Sequence, residues 1–249
     1  IRQCRFSFSS AVCLLAFTVS VSAAPITFTG SSNGASASVT FDVSGSSLIV
    51  TLSNTSTNDV TLQNQLLTTV FFDVSGPLLS LSPGTGSAVL APGSSVLFGT
   101  TDPGEVVGGE WDYQVGISVS TPQGQNYGIG SSGLGIFNSA SFPGSNLQGP
   151  GSVDGAQYGI TSPVDNAATG QSAVTGENAL IKSSVIFTLP GLPGGFDPST
   201  RISHIFWQYG TALIPTDPGF TGIVVPTVPE PSTALVWMLG AAMLVVVNR

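Results

Sequence analysis

Three stretches of this chain alternate between largely apolar and largely polar positions, and that period of two constrains the fold more than any other feature. Ala35, Ala37, Val39, Phe41 and Val43 alternate with Ser36, Ser38, Thr40 and Asp42. Trp111, Tyr113, Val115, Ile117 and Val119 alternate in the same way with Asp112, Gln114, Gly116 and Ser118. Ile181, Ser183, Val185, Phe187 and Leu189 form a third set against Lys182, Ser184, Ile186 and Thr188. Successive side chains of a strand point to opposite faces, so each stretch predicts a strand with one face buried. Shorter β-rich runs lie at Leu48–Leu52, Thr68–Phe72, Val96–Phe98 and Ile202–Tyr209. Turn dipeptides punctuate them: Ser44-Gly45, Gly76-Pro77, Pro83-Gly84, Pro92-Gly93 and Pro103-Gly104. No segment before the C-terminal tail has helical periodicity. The pattern predicts an all-β body, an antiparallel β-sandwich or jelly-roll-like domain over residues 24–214, paired between residues 26 and 213. Its expected core includes Val39, Phe41, Trp111, Val115, Val185, Phe187 and Phe206. Residues 143–178, rich in Gly, Ser, Pro and Asn, read as long end loops, with only Gln157–Thr161 strand-like.

Charge narrows the function classes. The chain carries five bases and thirteen acids, a net charge of −8. Of the bases, only Lys182 and Arg201 lie between residues 24 and 227, and Glu230 is the one acid outside that span. This excludes the basic footprint of a nucleic-acid binder and disfavours anionic lipid surfaces. The 41% hydrophobic content argues against a disordered chain. Both cysteines, Cys4 and Cys13, fall near the N-terminus.

Candidate chemistry is sparse. Gly128-Ile129-Gly130-Ser131-Ser132-Gly133 matches the dinucleotide fingerprint, but no helix pattern follows to hold a pyrophosphate, so it reads as a glycine-rich turn. His204 is the only histidine. A serine hydrolase would need it as base, yet its place between Ile202 and Phe206 predicts a packed, hydrogen-bonded side chain. Asp102, Glu105, Glu110 and Asp112 offer oxygen ligands of the kind calcium takes, but without an EF-hand pattern. No catalytic, metal or cofactor site is assigned. Glu105 and Glu110 or Glu177 would be the carboxylate pair of a glycosidase. Asn54-Thr55-Ser56 fits the glycosylation acceptor pattern.

The two ends carry address-like signals. Arg2 and Arg5 precede the apolar stretch Ala11–Val21, and Val21-Ser22-Ala23 supplies small residues at signal-peptidase spacing. Residues 1–23 therefore read as a secretory signal helix, cleaved after Ala23; cutting after Ala24 would set Pro25 beside the scissile bond. The mature protein would then lack cysteine and disulfides. Residues 215–231 hold prolines at 215, 218, 226, 229 and 231 and predict a stiff, extended spacer. Within it stand Val228, Pro229, Glu230 and Pro231, and behind it residues 232–249, with Ala234–Val247 uncharged and Arg249 last. Ser232 or Thr233 can cap a helix there, and its apolar stretch would rise about 21 Å against roughly 30 Å of hydrocarbon.

This tail resembles the PEP-CTERM sorting signal of bacterial exosortase substrates, although the family's terminal basic cluster is reduced to Arg249. The resemblance implies signal peptidase and a membrane transpeptidase, the exosortase, as partners. It implies a transient inner-membrane anchor through a transmembrane helix at 234–247. The destination would be the cell surface or extracellular matrix of a Gram-negative, biofilm-forming bacterium. Leu52–Ser56, Val70–Asp73, Tyr127–Leu134 and Phe206–Thr211 look similar to segments of exosortase-dependent surface proteins, which bears on lineage and not on activity. Two functions follow as expectations. One is a non-enzymatic structural or adhesive surface domain. The alternative is a secreted domain that binds or hydrolyses exopolysaccharide, with carboxylates and loop aromatics such as Tyr127 or Tyr158.

Overall fold

A computed structural model describes residues 23–81, 87–149, 153, 155–213 and 219–225. The segment expected as a signal helix before Ala23, the expected Pro83-Gly84 turn and the whole tail from Pro226 lie outside these residues. In chain order the first strands are β1 (Ile26–Ser32), β2 (Ala35–Ser44), β3 (Ser47–Asn54), β4 (Leu67–Val74), β5 (Ala88–Leu90), β6 (Ser95–Leu97) and β7 (Asp112–Val115). They are followed by β8 (Tyr127–Gly130), β9 (Ile160–Thr161), β10 (Leu180–Lys182), β11 (Ser184–Pro190), β12 (Ile202–Tyr209), β13 (Gly219–Thr221) and β14 (Ile223–Val225). A single turn of helix, α1 (Pro198–Arg201), is capped by Asp197, whose carboxylate accepts the Ser199 amide at 3.0 Å. Among the described residues no helix is long and apolar enough to cross a membrane.

The body is all-β. One sheet has the order β14-β1-β2-β3-β11-β5, and the other runs β13-β12-β4-β9-β10-β6, with β8 also on β4 and β7 on β8. Pairing is antiparallel except between β9 and β10. The β1–β2 hairpin turns on Asn33-Gly34, with φ of 50° and 84°, the conformation that matches a right-handed strand twist. The two sheets share one apolar core. Phe41 of the first meets Phe72 of the second at 5.1 Å between ring centroids, and Trp111 meets Phe187 at 4.9 Å. Val39, Phe41, Trp111, Val185 and Phe187 are fully buried, as their alternation predicts.

Two expected core residues lie elsewhere. Val115 is only half-buried, because Gly116 (φ 75°) ends the strand there. The alternation continues in sequence but not in space, and Val119 is 96% exposed. Phe206 is displaced by a bulge in β12. Its pairing with β4 skips from Ser203 opposite Asp73 to Phe206 opposite Phe71, and His204 takes φ 57°. The extra residues invert the phase, so Ile202, Ile205, Trp207 and Tyr209 are buried while Phe206 is only half-buried, packed beside a cluster of Phe71, Ile136, Phe137 and Val153. A second break falls at Ser183 (φ 86°), where the stretch read as one strand divides: β10 belongs to the second sheet and β11 to the first.

Glycine-rich residues 128–130 are strand, not turn. A Cβ on Gly130 would lie 2.7 Å from both Phe137 and Thr69, so glycine there lets Phe137 lie over Phe71, with centroids 6.1 Å apart. The segment expected as a spacer from residue 215 contributes β13 to one sheet and β14 to the other. The paired body thus extends to Val225.

Candidate functional site

The acids near β7 bind the chain's own loops. Asp102 accepts the Ser145 amide at 2.6 Å, and Glu110 accepts the Gln148 amide at 2.9 Å. Asp112 accepts the Tyr113 amide at 2.9 Å, the Gln114 side chain at 2.8 Å and the Asn138 amide at 3.3 Å. Together they fasten segment 138–148 over the edge strand β7, satisfying donors a loop would otherwise leave unpaired. Glu110 is 1% exposed, while Glu105 and Glu177 are exposed on separate turns. The expected glycosidase pair is therefore not drawn together into a groove. Among the described residues no three acidic, histidine or cysteine side chains are grouped to hold a metal.

Tyr127 and Tyr158, expected as loop aromatics, are fully buried. Tyr127 accepts the Leu79 amide at 2.7 Å through its hydroxyl, Tyr158 donates to the Thr100 carbonyl at 2.7 Å, and burial pushes both phenols above their usual range. Neither offers a stacking platform. Asn54 of the acceptor pattern is also buried: its amide donates to the Ile160 carbonyl at 2.9 Å and accepts from the Ser56 amide at 3.0 Å.

His204 is hydrogen-bonded but not packed. The bulge lifts it to the surface, where its Nδ1 lies 2.9 Å from Asp73 Oδ2; the two side chains are 43% and 25% exposed. Asp73 Oδ1 also accepts the Asn126 amide at 2.8 Å. A histidine held this way braces β4, β12 and the start of β8. Among the described residues no serine hydroxyl bonds to its ring, the contact a hydrolase triad makes between nucleophile and base.

A second acidic pair, missed in the sequence, joins two loops. Asp165 Oδ1 accepts the Val60 amide at 3.0 Å, while Asp59 accepts the Asn166 amide at 2.8 Å and the Thr169 hydroxyl. Asp165 is 6% exposed and no donor reaches its Oδ2. Burial, with the neighbouring Asp59 charge, pushes its carboxyl up, while hydrogen bonds from Thr169 and Asn166 hold Asp59 down. Beside this latch a groove of about 310 Å³ mixes polar and apolar lining, with Asn58, Asp59 and Gln65 beside Ala35, Val60 and Leu62.

The first sheet has an open outer face. Its outward residues remain partly exposed, whereas the outer face of the second sheet is covered by Ile136, Phe137 and Val153. Register places Thr29, Ser38, Ser53 and Ser184 in one row across β1, β2, β3 and β11. Thr27, Thr40 and Thr51 form the next row, continued by Ile186 and Val89. Neighbouring hydroxyls touch: Thr27 and Thr40 lie 2.8 Å apart, as do Ser184 and Ser53. The only charge in the adjoining row is Asp42, whose Oδ1 accepts the Val43 amide at 2.7 Å.

The first and last described strands pair at one edge of this sheet. Thr27 near the start of β1 pairs with Val225 at the end of β14. Ala23 and Ala24, the expected cleavage residues, immediately precede β1 and are half-buried and exposed. Val228, Pro229, Glu230 and Pro231 lie outside the described residues. Comparison with protein-family models, curated proteins and solved structures gives no match to this chain.

Proposed function

We propose that this chain is an exported cell-surface or biofilm-matrix protein processed by an exosortase at a PEP-CTERM-like tail, and that its β-sandwich body serves a structural or adhesive role without catalysis. The observation that carries this reading is the order Val228-Pro229-Glu230-Pro231, a capping Ser or Thr, the uncharged run Ala234–Val247 and a terminal base, opposite a signal-like N-terminus. The pairing of Thr27 with Val225 supports it. The described body thus begins and ends on adjacent strands, as suits a domain held at a membrane by either end. The two prolines around Glu230 keep the backbone extended, so little conformational entropy remains to be lost when an enzyme grips the carboxylate. Asp102, Glu110, Asp112, Tyr127 and Tyr158 are engaged in holding loops and core, which supports the non-catalytic half of the reading.

Two variants separate recognition from anchoring. Glu230→Ala leaves the basic partner in the enzyme unpaired, at a cost of about 2–5 kcal/mol. Full-length protein should then accumulate uncleaved in the inner membrane. Deletion of residues 234–249 should release folded, soluble domain into the periplasm. Misfolding of the deletion variant together with normal processing of Glu230→Ala would overturn the proposal.

A further inference from the structure

We propose that the open face of the first sheet is a docking surface for a neutral polysaccharide. This deepens the adhesive reading of the body and rests on it only for the setting in which the polymer is met. The two outer faces of the molecule differ in kind. One is overlaid by Ile136, Phe137 and Val153, and the other presents hydroxyl rows with a single carboxylate beside them. Solvent-facing strands can be kept soluble and unpaired by lysines and glutamates. Here Ser and Thr stand in those places, which makes the face neutral and flat.

Three properties suit it to a chain of sugars. The first is spacing: strands lie roughly 4.8 Å apart and alternate residues about 6.8 Å apart along each strand. The rise per residue of an extended pyranose chain is close to the inter-strand distance, so a polymer lying across the strands meets a hydroxyl at each sugar. The second is rigidity. β-Branched threonines have few rotamers, and the Thr27–Thr40 and Ser53–Ser184 contacts of 2.8 Å hold their hydroxyls in place, leaving little entropy to lose on binding. Each hydroxyl has one donor and two acceptor positions, so such a contact leaves capacity for a ligand. The third is the apolar strip that continues the rows, with Ile186 and Val89 beside Thr51 and Ile49 beside Asp42, against which the C–H faces of sugar rings can lie.

Alternatives fit less well. An anionic polymer would meet a chain of net charge −8. A protein partner would call for aromatic or arginine anchors, and the rows contain none. At the edge of the face Thr29, Ser31, Ser36, Thr55 and Thr221 line a further depression of about 430 Å³, so the hydroxyl surface continues into a recess. With no aromatic platform in the rows, each sugar contact is weak, and retention depends on many contacts along one polymer.

The test is cosedimentation of the purified full chain with microcrystalline cellulose, with alginate as the anionic comparison. Wild type should be retained on cellulose and not on alginate. The double variant Thr40→Lys/Ser53→Lys should lower the apparent affinity about tenfold or more, and Thr40→Ser should leave it nearly unchanged. Near-ultraviolet circular dichroism checks that the variants are folded. If the lysine variant does not fold, the shape-preserving pair Thr40→Val/Ser53→Ala replaces it, with a reduction of about threefold expected. No retention of wild type on cellulose, equal retention on alginate, or undiminished retention of the folded lysine pair or of its Val/Ala replacement would overturn the proposal. None of these results depends on tail processing, so failure here and failure of the sorting reading are told apart.

Discussion

A single left-handed residue, His204, decides which aromatic side chains of β12 enter the core. Non-glycine residues at positive φ carry a steric cost of roughly 1–2 kcal/mol, because Cβ crowds the following carbonyl. His204 bears that cost at φ 57° and makes an ion-pair-type contact with Asp73 at 2.9 Å. His204→Gly and His204→Ala both lose the contact, but only glycine relieves the backbone. The glycine variant should be more stable than the alanine variant by about 1 kcal/mol, read from urea midpoints; equal midpoints would mean the bulge carries no strain. At Asp165 the reasoning concerns protons. Its carboxyl is raised by burial and by Asp59, so the fold favours the protonated form. That contribution is fully present below the ordinary carboxylate value near pH 4 and is lost as pH rises through the higher folded value. Asp165→Asn keeps the acceptor for Val60 and supplies a permanent donor toward Asp59. It should raise the melting temperature at pH 7 by about 2–4 °C, with the gain shrinking toward pH 4. A melting temperature lowered equally at both pH values would contradict the account of a carboxyl raised by burial.

Elements were legible where local pattern and tertiary placement agree. The alternation over Ala35–Val43 became β2 with Ala37, Val39 and Phe41 buried, and Phe41→Ala should cost about 3–5 kcal/mol by opening a cavity against Phe28 and Phe72. It misled wherever one residue reset the phase: Gly116 ended β7, Ser183 moved the chain between sheets, and the Ser203–His204 bulge exchanged Phe206 for Trp207. A period of two cannot register an inserted residue, since the sequence on either side still alternates. The exchange is testable. Trp207→Ala should destabilise by about 3–5 kcal/mol, and Phe206→Ala should cost clearly less because its ring lies on the outer face. Comparable losses would restore the unbulged register.

At the scale of the whole molecule, a β body with one open hydroxyl face begins and ends on adjacent strands, where Thr27 pairs with Val225. The all-β class was readable from composition and period. The asymmetry between faces was not, because it depends on which loop folds over which sheet, and residues 131–142 carry no pattern that declares their target. Candidate chemistry dissolved for a related reason: Asp102, Glu110 and Asp112 are adjacent in sequence yet point to three different amides of one loop. The tail speaks at the sequence level alone, and so the export claim is tested most directly on the protein's own ends. Intact-mass and peptide mass spectrometry of the protein recovered from the cell surface should find Ala24 as the first residue and a C-terminus at or near Pro229–Pro231, with nothing from residues 1–23 or 234–249. Surface protein that retains Cys4, Cys13 or the Ala234–Val247 run would contradict the account.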